Sequence, residues 1–131
     1  MNASTLDSAS PLGRKLGIEP GMRVAVIGAP AGFAERLDDA RLAARLRGRF
    51  EVIVFFAPSI AALERRLTAL VSARAERGAL WIAWPKRTSP LAGDLDDGVV
   101  RRIGLATGLV DNKVCAIDED WSALRFVARR P

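Results

Sequence analysis

Residues 51–59 read EVIVFFAPS. Residues 52–56 are all apolar, and the run stops at Pro58 and Ser59. β-Branched and aromatic residues without polar alternation are what a strand covered on both faces requires. A strand with one wet face would alternate instead. The same design occurs twice more. GMRVAVIGAP (21–30) predicts a strand over residues 23–27, closed by Gly28 and Pro30. GALWIAWP (78–85) predicts a third, centred on residues 80–84. Three such runs separated by helical segments predict an α/β protein with a parallel central sheet. Right-handed crossovers then place helices on both faces.

The intervening segments carry helical signals. Ser59 can cap a helix, its hydroxyl accepting an orphan backbone N–H. Ile60, Leu63, Leu67, Leu70 and Val71 follow as one apolar stripe, and Gly78 is expected as a left-handed C-cap. The next helix is expected to start at Asp94, with Asp97 completing a capping box and Gly108 ending it. Residues 33–48 read either as one helix or as a helix plus a short strand within ARLAARL (40–46). At the C-terminus, LVDNKVCAI and WSALRFVAR are strand-like and joined by a short acidic turn, which predicts an antiparallel hairpin. The expected architecture is a three-layer Rossmann-like sandwich of about five strands. It forms a single domain over residues 11–131, behind a flexible polar tail over residues 1–10.

Composition narrows the function classes. With 131 residues the chain suits one domain, and 50% hydrophobic with 27% charged residues is a globular balance. No apolar run approaches the length of a spanning helix. The lone Cys115 excludes an intramolecular disulfide and fits a reducing, cytoplasmic setting. Histidine is absent, so the chain alone builds neither a His–Cys metal site nor a Ser–His–Asp triad. The net charge of +5 admits nucleic-acid binding. However, the basic residues alternate with acids along the chain (LERRL, RAERG), and a patch requires clustering.

In open α/β sheets, ligands bind beyond the carboxyl ends of the strands. Three loops should meet there. GAPAGF (28–33) places Gly28, Ala29 and Gly32 where a strand turns toward a helix. Glycines there either let a ligand approach the backbone or serve the turn itself. Ser59 begins the second loop. WPKRTS (84–89) offers Trp84 as a flat face, Lys86 and Arg87 as anion partners, and Thr88 and Ser89 as donors. The alternative is that Trp84 is core and the two cations are solvated. Cys115 beside Lys113 suits a structural thiol, there being no base to activate it. Asp118, Glu119 and Asp120 read as a solvated turn.

KLGIEPGMRV, GALWIAWPK and GLVDNKVCAIDEDWSALRFV together resemble an uncharacterised bacterial family, domain of unknown function 3052, over nearly all of residues 11–127. That resemblance implies relatives but no activity. RVAVIGAPAG (23–32) also resembles the first glycine motif of Rossmann-like methyltransferases that use S-adenosylmethionine. Gly28 and Gly32 match its outer glycines. Val26 stands where the motif often has an acid, and Pro30 replaces its central glycine. The closing hairpin is similar to the antiparallel pair that ends that fold. If so, the last strand inserts antiparallel between the third and fourth.

The leading expectation is a small Rossmann-like protein that binds a small anionic ligand or a protein partner in a regulatory or accessory role. It calls for no catalytic residue, no cofactor and no metal, and is compatible with a homodimer and with no membrane contact. The alternative is a methyltransferase-like enzyme using S-adenosylmethionine. A third reading, nucleic-acid binding, rests on net charge.

Overall fold

Along the strand Phe50–Phe56 (β3), successive side chains enter two different cores. Ile53 and Phe55 join one; Val52, Val54 and Phe56 join the other. The unbroken apolar run is therefore two alternating sets, each buried. The computed structural model describes residues 10–37 and 41–130. Before β3 come helix α1 (Pro11–Lys15), β1 (Val24–Ile27), a 3-10 turn (Ala34–Leu37) and β2 (Leu42–Ala43). After it come α2 (Ile60–Ser72), β4 (Arg74–Pro85), α3 (Asp97–Leu105), β5 (Val110–Ala116) and β6 (Trp121–Val127).

The strands form one sheet in the order β2-β1-β3-β4-β6-β5. β1, β2, β3 and β4 are mutually parallel. β6 runs antiparallel to both its neighbours, β4 and β5, with Leu80 opposite Phe126 and Cys115 opposite Ala123. The last strand thus inserts between the third long strand and the fourth, as the resemblance implied. The sheet has six strands rather than about five, the extra one being the two-residue β2.

Helices α2 and α3 cover one face, through Leu63, Leu70, Val100 and Ile103. The other face has a thinner cover: Leu12 of α1 and its C-cap Leu16, and Phe33 and Leu37 around the 3-10 turn. Trp81 lies fully buried beneath α1, and its indole N–H donates to the Leu16 carbonyl at 3.0 Å. A buried indole needs such a partner, so this bond fixes α1 over the sheet. Ser10 is itself buried and accepts from the Gly13 N–H at 2.9 Å as the cap of α1. The rest of the expected tail lies outside the described residues.

Of the two readings of residues 33–48, the structure bears out the one with a short strand within residues 40–46: β2 follows a 3-10 turn that stands where an α-helix was expected. Two expectations are corrected. Gly78 does not cap α2, which ends at Ser72 with right-handed Ala73 as its C-cap. Gly78 lies inside β4, at an irregular stretch of its pairing with β3, where a Cβ would collide with the Phe50 carbonyl. Asp94 does not start α3. Asp96 does, accepting from the Val99 N–H at 2.9 Å, while Asp94 accepts from the Ile60 N–H at 2.8 Å and caps the neighbouring helix α2. Two acids two residues apart can both cap, and tertiary packing assigned them to different helices.

Candidate functional site

The parallel strands end along one edge, where residues 28–33, 57–59 and 85–96 emerge and the β5–β6 turn joins them. Gly28 (φ 74°) and Gly32 (φ 90°) both adopt left-handed backbone, which other residues adopt only at a cost. A Cβ on Gly28 would stand 3.2 Å from the Phe56 carbonyl, so the turn passes tightly over the end of β3. Phe33 then anchors it. Its ring meets Phe56 edge-on at 4.8 Å, and Phe56 meets Trp121 edge-on at 5.0 Å. Such pairs add roughly 0.5–1.5 kcal/mol each beyond burial. Arg36 closes the far side by donating to the Ile117 carbonyl at 2.9 Å.

Between this turn and β2 lies an open groove of about 530 Å³. Its walls include Val26, Gly28, Ala29, Gly32, Leu42 and Ala43, and among the described residues Glu35 is the one charged side chain lining it. The motif reading missed Glu35. Its signal was available: an acid three residues after the last glycine of the turn.

The other expected residues are not brought to this groove. Ser59 caps α2, accepting from the Ala62 N–H at 3.1 Å. With Asp94 on Ile60, that helix start already has two acceptors of its own and less to offer an anion. Trp84 is only 5% exposed and packs in the core beneath α2 and α3, so it presents no stacking face. Ser89 is buried and accepts from the Leu91 N–H at 3.0 Å, while its own N–H donates to the Lys86 carbonyl at 3.0 Å. Thr88 is exposed, and Lys86 is half-buried with its N–H bonded to the Asp120 carbonyl at 2.7 Å. Arg87 approaches Asp96 at 3.7 Å, an exposed pair of little energetic weight. This second loop is an internally braced turn.

The charge around the edge is more acidic than the WPKRTS motif alone implied. Glu35, Asp94, Asp96, Asp97, Asp118, Glu119 and Asp120 face Arg36, Lys86 and Arg87. Asp118 accepts from the Asp120 and Trp121 N–H groups at 2.8 and 2.9 Å, so it organises the turn. Cys115 is buried. Desolvation pushes its thiol pKa up, against the weaker opposing influence of Lys15, Lys113 and Arg36. That is the state of an inert structural thiol.

No protein-family model matches the chain, and no curated protein does either. Solved structures do. A SAM dependent methyltransferase from Aquifex aeolicus superposes with a TM-score of 0.63 at 13% identity, covering 88% of this chain and 87% of that one. Magnesium protoporphyrin IX methyltransferase from Synechocystis PCC 6803, with bound SAM, gives 0.53 at 14% identity, covering 84% and 71%. The class is thereby defined at the level of fold: a Rossmann-like α/β sandwich of the methyltransferase type. A 3-10 turn and a two-residue strand stand between β1 and β3.

Proposed function

We propose that the chain is a methyltransferase-like protein whose groove at residues 28–35 and 42–44 takes an adenosyl nucleoside, S-adenosylmethionine or its demethylated form. This reading replaces the cofactor-free expectation. The observation that carries it is the groove itself: two left-handed glycines leave the backbone bare beside an apolar wall, with one carboxylate, Glu35, among its lining residues. Glu35 would accept from ribose hydroxyls or an ammonium group, and Ala29 offers a backbone N–H. Val26, Leu42 and Ala43 would meet the apolar parts of the ligand. Bound there, S-adenosylmethionine would supply an activated methyl group.

The affinity should be low. Pro30 has no N–H and adds a ring where the motif has its central glycine, and Val26 supplies no carboxylate. β2 is followed by Ala44 and Arg45, with no acid. Asp38 and Asp39 precede β2 in the chain and lie outside the described residues. A lost hydrogen bond to a charged group is worth roughly 1.5–3 kcal/mol, and about 1.4 kcal/mol is tenfold in affinity. A micromolar site becomes one of about a hundred micromolar.

Isothermal titration with S-adenosylmethionine and with its demethylated form tests this. The expected result is saturable binding near a hundred micromolar, weakened about tenfold by Glu35→Gln and tightened by Pro30→Gly. No heat and no thermal shift at millimolar ligand, in the parent and in Pro30→Gly alike, overturns it. The second reading is a non-catalytic accessory protein binding a small ligand or a protein, favoured by Pro30 and Val26 at the positions where the motif binds its nucleoside. A cytoplasmic setting, and kinship with domain of unknown function 3052, belong to either reading.

A further inference from the structure

The opposite edge of the sheet, where the parallel strands begin, gathers arginines that are far apart in sequence. Arg41 immediately precedes β2, Arg23 precedes β1, Arg49 precedes β3, Arg74 opens β4, and Arg129 follows the end of antiparallel β6. In sheet order these are five consecutive strands, each with one arginine at the same edge. At about 4.8 Å per strand the row extends about 19 Å.

Backbone carbonyls hold the guanidinium groups of Arg23 and Arg74. The Arg23 guanidinium donates to the Arg49 and Arg47 carbonyls at 2.7 and 2.9 Å and lies over the Phe50 ring at 4.5 Å. Arg74 donates to the Gly78 carbonyl at 2.9 Å. Carbonyl partners hold a guanidinium in place without neutralising it. Among the described residues the ion pairs are Arg87 with Asp96 and Arg101 with Asp111, so none of the five is paired. Among the described residues, acids are fewer here. Glu51 accepts from the Arg23 backbone N–H at 2.6 Å, and Glu19 and Glu76 are exposed. A groove of about 690 Å³ opens at the same edge, with Arg23, Arg41, Met22 and Ile18 among its walls.

We propose that this edge is a nucleic-acid interface: the arginine row follows a single-stranded phosphate backbone, and the adjoining groove accommodates a base. Guanidinium groups pair with phosphate bidentately, and a linear row of them fits a linear polyanion better than a compact one. The site is separate from the groove that Gly28 and Gly32 form at the other edge and does not depend on it.

Fluorescence anisotropy with a labelled single-stranded RNA 20-mer tests the proposal. With three to five phosphates neutralised, log Kd against log salt should have a slope of about 2 to 3.5, so affinity falls about 20- to 100-fold between 50 and 200 mM salt. Arg41→Gln/Arg49→Gln/Arg129→Gln, all three exposed, should weaken binding at least tenfold and flatten the slope. Arg65→Gln/Lys86→Gln/Arg87→Gln makes the same change in net charge elsewhere and should leave both unchanged. Equal weakening by the two triple variants overturns the proposal, because net charge alone then explains binding. Absence of binding by the parent at 50 mM salt also overturns it. Should the first triple variant unfold, Arg41→Gln/Arg129→Gln set against Lys86→Gln/Arg87→Gln gives the same comparison.

Discussion

Trp84 and Lys86 stand two residues apart at the end of β4, yet one belongs to the core and the other to the rim. Trp84→Ala should cost roughly 3–5 kcal/mol, the price of emptying a packed aromatic site. Lys86→Ala should stay within about 0.5 kcal/mol, as surface changes do. Urea denaturation of both variants checks the order; a reversal would place Trp84 at the surface. Cys115 gives a prediction in pH. Its thiol pKa is raised in the folded protein, chiefly by desolvation. Between the unfolded and folded values the unfolded chain has lost a proton that the native state keeps, so stability falls as pH rises. This contribution is complete below the unfolded thiol value, about 8.5, and is lost above it. Cys115→Ala should therefore flatten the decline in stability as pH rises above about 8.5, and thiol reagents should label the native parent slowly at neutral pH.

At the level of elements, α3 meets β6 through a glycine. A Cβ on Gly104 would overlap the Phe126 ring, which is fully buried. Helix propensity alone favours alanine there by about 1 kcal/mol. Overpacking against a rigid ring costs typically about 1–3 kcal/mol and should win, so Gly104→Ala should destabilise the protein in urea denaturation. A stabilised variant would mean that α3 stands off the sheet. The same contrast between local and tertiary forces decides what the sequence revealed. β1, β3 and β4 were legible because strands buried on both faces are continuous apolar runs. β2 was legible only as one of two readings of residues 33–48, because two residues carry no period. Gly78 carried the signal of a cap, but close packing against the Phe50 backbone was the constraint it served. Of the candidate site residues, Gly28, Ala29 and Gly32 line one groove, because a turn dictated by left-handed glycines is local. Ser59, Trp84 and Ser89 are engaged in capping, core packing and a turn, and each needed the fold to show it. Glu35 was concealed by an expected helix in place of a 3-10 turn.

At the scale of the whole molecule, the fold separates charges that the sequence mixes. Arginines and glutamates alternate along residues 63–77, which reads as a solvated surface. The topology instead brings arginines to the edge where strands begin and most of the unpaired acids to the edge where they end. A basic face was therefore invisible until strand order was known. Strand order also constrains how the molecule comes into being. β6 lies between β4 and β5 although it is the last of the three in sequence. As the chain leaves the ribosome, β5 emerges with no neighbour to join, and β4 presents a long open edge until residues 121–127 arrive. Until then the nascent chain is a four-stranded sheet with an apolar margin, the kind of surface that other chains extend. At ordinary elongation rates of about 5–20 residues per second, residues 86–127 take about 2–8 s to add, and for that interval the edge of β4 stays open to pairing with other chains.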